Sequence, residues 1–422
     1  MTAEFTKEMK DNGYTILAPD IFPTHMKLVK EIFRMYGYNL VVLTSTGKKV
    51  IDTGLKYLHN DMCYPAICML GQQLDALTNG EYDPHKVALI QFQTGGGCRA
   101  SNYIWLLRKA LENMGMEYVP VISLSFSKVE RHSGFNITIP MMFKGLMSLL
   151  YGDMIMLLRN QVLPYEKNKG ETEALVEKWV KELSSQFRKN RGLVGVSVSR
   201  NLEKIATDFS NIEKTEEKKT KVGIVGEIYV KYSQFGNNGL ESFLLSQNCE
   251  FMVPGVLAFF QSMFVDPIMD YKLYGDSRLS ATLTKILAKM AGTLEKKMLK
   301  ILKKFPMFTP PMKFSMIREY GEKTVGLGVK MGEGWLLPAE ICELIHDGYN
   351  NVICAQPFGC LPNHIIGKGV IRKIKDMYPK ANICPVDYDA GASKVNQENR
   401  IKLMLAVARE EEAKTGNESD RT

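Results

Sequence analysis

Short apolar runs separated by amphipathic helical stretches recur along this chain of 422 residues. That alternation restricts it to a parallel α/β architecture, in which the crossover between neighbouring strands is a helix packed on the sheet. In the first part the strand-like runs are 14–17, 39–43, 87–91 and 118–123, with helices over 65–77 and 101–114 between them. From 140 to 217 the pattern turns helical, and it ends in the charged run 212–221 (IEKTEEKKTK), which reads as a hinge or solvated boundary. A second set of strand-like runs starts abruptly at 221–230 (KVGIVGEIYV) and continues at 249–253, 351–355 and 382–386. The simplest account is α/β throughout: a doubly wound domain over 1–139, a helical segment and hinge over 140–220, and a second doubly wound domain over 221–422. The polar residues after Arg409 are expected to fray.

Composition fits this size of enzyme-like chain and excludes several classes. With 45% hydrophobic and 24% charged residues there is apolar material for two or three domains. Eight cysteines fall far below the density of a disulfide scaffold, and the opening MTAEFTKEMK is too polar for a signal peptide, so a reducing cytoplasm is expected. The most membrane-like window, 141–158, carries Lys144, Asp153 and two glycines, which predicts a buried helix pair rather than a membrane span. Net charge is +8, but lysines are interleaved with glutamates. The densest basic stretch, 294–305 (LEKKMLKILKKF), has helical apolar spacing and predicts a solvated lysine face, with a docking surface for an acidic protein as the other reading. No nucleic-acid or membrane partner is expected.

Three cysteines sit in glycine- or proline-marked loops just after a strand or at a helix entry: Cys63 in CYP, Cys98 in GGGCR, and Cys360 in QPFGCLPN. An open α/β sheet puts its ligands there, and thiolates converging from three loops of two domains point to a soft metal site in the cleft between them. A cluster of iron and sulfide is the natural occupant, and three thiolates leave one corner of a cubane open. Gly95, Gly96 and Gly97 remove side chains ahead of Cys98, and their amides are candidates to bind sulfide or an anion. A tight turn around a buried cysteine explains any one of these motifs equally well. Cys68, Cys249, Cys342, Cys354 and Cys384 lie in helix or strand runs and read as packed core residues. No C-x-x-C pair occurs, which counts against a zinc ribbon and a thioredoxin-type pair. His364 reads as a capping or hydrogen-bonding residue.

Two further loops are richer in polar groups than a turn needs. The stretch 229–239 (YVKYSQFGNNG), preceded by Glu227, offers Tyr232, Asn237 and Asn238, and the stretch 387–400 offers Asp387, Asp389 and Ser393. Both are expected to face the crevice of Cys360 and Asn363, although a plain turn and a helix cap account for Asn237–Asn238 and for 389–393 respectively. Glu227, Tyr232, Asp387 and Asp389 are the candidates for acid–base work. Neither a phosphate loop of the G-x-x-x-x-G-K-[ST] type nor a G-x-G-x-x-G turn after a strand is present, so any ATP hydrolysis must come from a partner.

The stretches 63–77 (CYPAICMLGQQLDAL), 93–103 (QTGGGCRASNY), 222–244 (VGIVGEIYVKYSQFGNNGLESFL), 355–374 and 382–405 together resemble the 2-hydroxyacyl-CoA dehydratase family. They resemble most its branch found alone or as the C-terminal part of large acyl-CoA dehydratase activase proteins, over about residues 13–406. The resemblance implies two flavodoxin-like domains with a helical part, and a [4Fe-4S] cluster in the cleft held by Cys63, Cys98 and Cys360. It also implies an iron-sulfur ATPase activator as partner, delivering a low-potential electron that reduces a 2-hydroxyacyl-CoA to a ketyl radical and lets the hydroxyl leave. Relatives with a double-cubane [8Fe-9S] cluster reduce other small molecules. That alternative needs three more thiolates, for which Cys68, Cys354 and Cys384 are the candidates. Three functions follow as expectations: a reductive catalyst on an acyl-CoA or another small molecule, a non-catalytic cluster or electron-transfer subunit, and a cluster-free binding module. The assembly is expected to be a homodimer or a pair with a second family subunit.

Overall fold

The computed structural model describes residues 3–59, 61–93, 97–125 and 132–419. Two four-stranded sheets form, both wholly parallel. The first holds β1 (Thr15–Pro19), β2 (Asn39–Leu43), β3 (Val87–Gln93) and β4 (Val121–Ser125) in the order β2-β1-β3-β4. The second holds β5 (Thr220–Gly226), β6 (Cys249–Met252), β7 (Asn351–Pro357) and β8 (Asn382–Tyr388) in the order β6-β5-β7-β8. Each of the eight strands overlaps an apolar run read from the sequence, because a strand covered on both faces is apolar at nearly every position.

Alternate residues of each strand feed opposite layers. Ile16, Val225 and Val352 belong to one apolar core and Leu17, Ile224 and Ile353 to the other. Each core therefore runs without a break beneath both sheets. The first core also takes in Leu150 and Met154 of helix Ile139–Val162 and Leu202 of helix Val196–Ser210.

Two departures from the sequence reading have local causes. The membrane-like window is one continuous helix, Ile139–Val162, not a pair; its only proline is at the first turn, where the missing N–H costs nothing. It is long and apolar enough to cross a membrane, but 72% of its apolar window is buried in the protein. Its Asp153 accepts hydrogen bonds from the Val256 (2.7 Å) and Leu257 (2.9 Å) amides, capping helix Val256–Met263 from a distance, and bonds His25 at 2.9 Å. The charged run is largely exposed, and Thr215 in it donates to the Tyr165 carbonyl (2.8 Å) while Lys167 donates to that of Glu213 (3.0 Å). The tail continues as helix Lys394–Ser419, fastened by Thr220 Oγ1 on Glu412 Oε2 (2.9 Å) and by Arg409 on the Gln247 carbonyl (2.6 Å). Most of the basic stretch lies in helix Arg278–Leu302, where Met298, Ile301 and Leu302 are buried and Lys296 and Lys300 are exposed.

Candidate functional site

In both sheets the strand order reverses between the two central strands, β1 and β3 in one, β5 and β7 in the other. Outside the carboxyl ends of these strands the chain diverges to opposite sides and leaves a crevice. The two crevices face each other and enclose a cavity of about 120 Å³ lined by Cys63, Cys98 and Cys360. Phe22, Met69, Phe92, Phe259, Phe260 and Met263 make most of the rest of the wall apolar.

Each cysteine stands where a helix or helical turn begins. Cys63 precedes helix Tyr64–Thr78, Cys98 precedes the short turn Arg99–Asn102 that leads into helix Tyr103–Asn113, and Cys360 precedes the π-helical turn Asn363–Lys368. The Ala66, Ala100 and Asn363 amides lie on the side of the respective sulfurs and favour their thiolates, without completing a cap bond at Cys63 or Cys98. Burial works the other way and dominates. Burial raises the Cys63 thiol (5% exposed), holds that of Cys360 (8%) well above the usual range, and pushes half-buried Cys98 up to about 12. The metal-free thiols are therefore protonated at neutral pH.

Backbone contacts between the halves bring the loops together. Tyr64 donates to the Phe358 carbonyl at 3.0 Å. Gly359, with φ +74°, lies so near that a Cβ would stand 3.1 Å from Cys63 Cα. Gly97 serves the same purpose at the Cys98 loop, where a Cβ would fall 2.2 Å from Met331 Sδ. Arg99 Nη1 donates to the Asp61 carbonyl, tying the Cys98 loop to the chain ahead of Cys63.

Polar partners differ from cysteine to cysteine. Cys63 Sγ lies 2.9 Å from the Tyr103 hydroxyl. Cys360 Sγ accepts a 3.3 Å bond from Asn363 Nδ2, which also donates to Glu333 Oε2 at 3.3 Å. The other Glu333 oxygen accepts from the Ile228 amide (2.8 Å), one residue past Glu227. Glu227 lines the cavity, and its Oε2 accepts from the Val230 amide at 2.9 Å. Desolvation, helped by nearby Glu333, lifts Glu227 to about 8, and desolvation lifts buried Glu333 too. Behind them Lys231 and Glu340 form a fully buried bidentate pair (2.7 and 2.8 Å).

Of the other expected residues, Gly95 and Gly96 lie outside the described residues. Tyr232 does not reach the cavity; its hydroxyl is bonded to the Pro254 carbonyl at 2.7 Å. Asn237 uses its side chain on the Val230 carbonyl and the Leu240 amide, and Asn238 bonds Gln397. Asp387 pairs with Lys368 (2.8 Å), Asp389 is absent from the cavity wall, and Ser393 is exposed ahead of helix Lys394–Ser419. Asp387 lies near the end of β8 and Asp389 and Ser393 follow it; β8 is an edge strand, so all three stand one strand away from the crevice. Cys68 is buried in helix Tyr64–Thr78, Cys249 on β6, Cys342 in helix Leu336–His346 and Cys354 on β7, while Cys384 on β8 is half-buried; none lines the cavity. Sequence reasoning missed Glu333 and Tyr103. Glu333 had one signal, the flanking Gly332 and Gly334, both with positive φ, which make the turn that turns it inward.

The three thiols that line the cavity are the donor type an iron-sulfur cluster takes. Among the described residues no three His, Cys, Asp or Glu side chains stand close enough to hold one metal ion. A cubane is several ångströms across and takes thiols that ring a cavity instead. Asn363 Oδ1 and Gln356 Oε1, buried beside Cys360, lack hydrogen-bond partners. No protein-family model matches the chain, and no curated protein does.

Proposed function

We propose that the chain is an iron-sulfur protein of the 2-hydroxyacyl-CoA dehydratase type, in which Cys63, Cys98 and Cys360 hold a [4Fe-4S] cluster with one iron free of protein ligands. The observation that carries this reading is the meeting of three thiols, from three separate loops and both sheets, in one apolar cavity at the ends of the central strands. The strand order, twice 2-1-3-4, supports flavodoxin-like wrapping for each half. When bound, such a cluster supplies a one-electron store and a Lewis-acidic iron.

The chain's own residues set the conditions for reductive chemistry on an acyl-CoA or another small molecule. The ring of Phe22, Phe92, Phe259 and Phe260 excludes water from the reacting space. Glu227, protonated at neutral pH, presents a proton into that space, where departure of a hydroxyl needs one. A partner iron-sulfur ATPase delivers the electron in this scheme. The single cluster is preferred to a double cubane because Cys68, Cys354 and Cys384 do not line the cavity.

Iron and acid-labile sulfide, measured on anaerobically purified chain, test the reading. About four irons per chain, diminished in each of Cys63→Ser, Cys98→Ser and Cys360→Ser, is the expected result. A folded, anaerobically reconstituted chain that takes up no iron overturns it.

A further inference from the structure

We infer that Tyr103 and Asn363 donate hydrogen bonds to the sulfurs of Cys63 and Cys360 and thereby raise the reduction potential of the cluster they hold, with Glu333 as the positioning residue that fixes the Asn363 amide. This inference rests on the cluster reading above and concerns the regulation of that site's potential.

The geometry of each donor leaves it one useful role. Tyr103 is buried in the first turn of helix Tyr103–Asn113, and its hydroxyl meets Cys63 Sγ at 2.9 Å. A thiolate that ligates a metal has no proton of its own, so the Tyr103 O–H is then the donor. Tyr103 follows Cys98 by five residues, and the loop that supplies one thiol thus supplies the donor to another. On the opposite side, the two hydrogens of the Asn363 amide are divided between Cys360 Sγ and Glu333 Oε2, both at 3.3 Å. Rotating that amide by half a turn would set its oxygen against a carboxyl oxygen and a sulfur together. Glu333 is itself held by the Ile228 amide at 2.8 Å. The donating orientation toward Cys360 is therefore fixed by a side chain that never touches the sulfur.

Hydrogen bonds to ligating sulfurs favour the reduced, more negative cluster and raise its potential, and such partners fix the ligands they touch. The test is a redox titration followed by electron paramagnetic resonance on full-length protein, with iron and sulfide measured on the same samples. Tyr103→Phe is expected to keep its iron and to titrate at a more negative potential than the unaltered chain. Glu333→Gln is expected to shift the potential in the same direction but less, because glutamine can present either end of its amide to Asn363. Unchanged potentials in iron-replete variants overturn the inference and leave the cluster reading intact. Loss of iron from Tyr103→Phe overturns the tuning role and makes the hydroxyl a requirement for holding the cluster. Absence of iron from the unaltered chain defeats the cluster reading itself.

Discussion

The two walls of the cavity are built from opposite materials. The wall from the first sheet presents two thiols, Cys63 and Cys98, among Met69, Phe92 and Tyr103; the wall from the second presents one thiol, Cys360, with Glu227 beside it and Glu333 and the Lys231–Glu340 pair behind. Thiols and aromatic rings are cheap to bury, whereas carboxyls and an ammonium lose their hydration. The first wall therefore stabilises the fold as it forms, and the second is held in place against the cost of desolvation.

The largest break in that contrast is expected from Glu340→Ala, which leaves the fully buried Lys231 ammonium without its counter-charge. Removing one partner of a buried pair costs about 3–5 kcal/mol, and chemical denaturation of the metal-free chain would show it. The double variant Lys231→Met/Glu340→Leu should regain most of that loss, since an apolar pair needs no hydration to be replaced. A single variant as stable as the parent would mean that water reaches the pair.

Next in size is Gly359→Ala, where the walls touch. Gly275 has nearly the same φ, +70° against +74°, but open space around it. Gly275→Ala should therefore show only the backbone strain, roughly 1 kcal/mol, whereas Gly359→Ala adds a tight contact with Cys63 and should cost more, about 1–3 kcal/mol. Equal losses of melting temperature in the two variants would remove the contact from the account of how the walls are joined.

A third variant sharpens the contrast through pH. Glu227 is lifted from its ordinary range to about 8. Between those limits the folded chain keeps a proton that the unfolded chain has released, so stability falls as pH rises across the interval and is level above it. Glu227→Gln removes this carboxyl's share of the decline and should gain melting temperature at pH 8 relative to pH 5. A parallel decline in parent and variant would assign the pH dependence to other carboxyls, such as half-buried Asp266 and Asp347, each lifted to about 7.

The sequence made the scaffold legible because strands buried on both faces leave unbroken apolar runs, and the eight runs match the eight strands. The three cysteine loops were legible for a related reason: glycine and proline mark where a strand ends and a helix starts. Polar loops carry no such address. Whether a loop meets the crevice depends on strand order, which separates β8 and its Asp387, Asp389 and Ser393 from the cavity. Tyr232 and Asn237 follow a central strand, yet the helical turn Ile228–Tyr232 carries them past the opening. Glu333 was hidden because it comes from neither a strand end nor a helix start, and Tyr103 because a tyrosine at an apolar helix position looks like any core residue.

The unbroken cores beneath both sheets bear on how the molecule is made. The ribosome releases β1 to β4, with the helices that pack on them, long before the second half, so Phe22, Phe92 and two of the three thiols emerge before the wall that closes the cavity over them. Exposed apolar surface of this kind invites aggregation in a partly made chain. The half-molecule must wait, shielded, for a wall that is synthesised last.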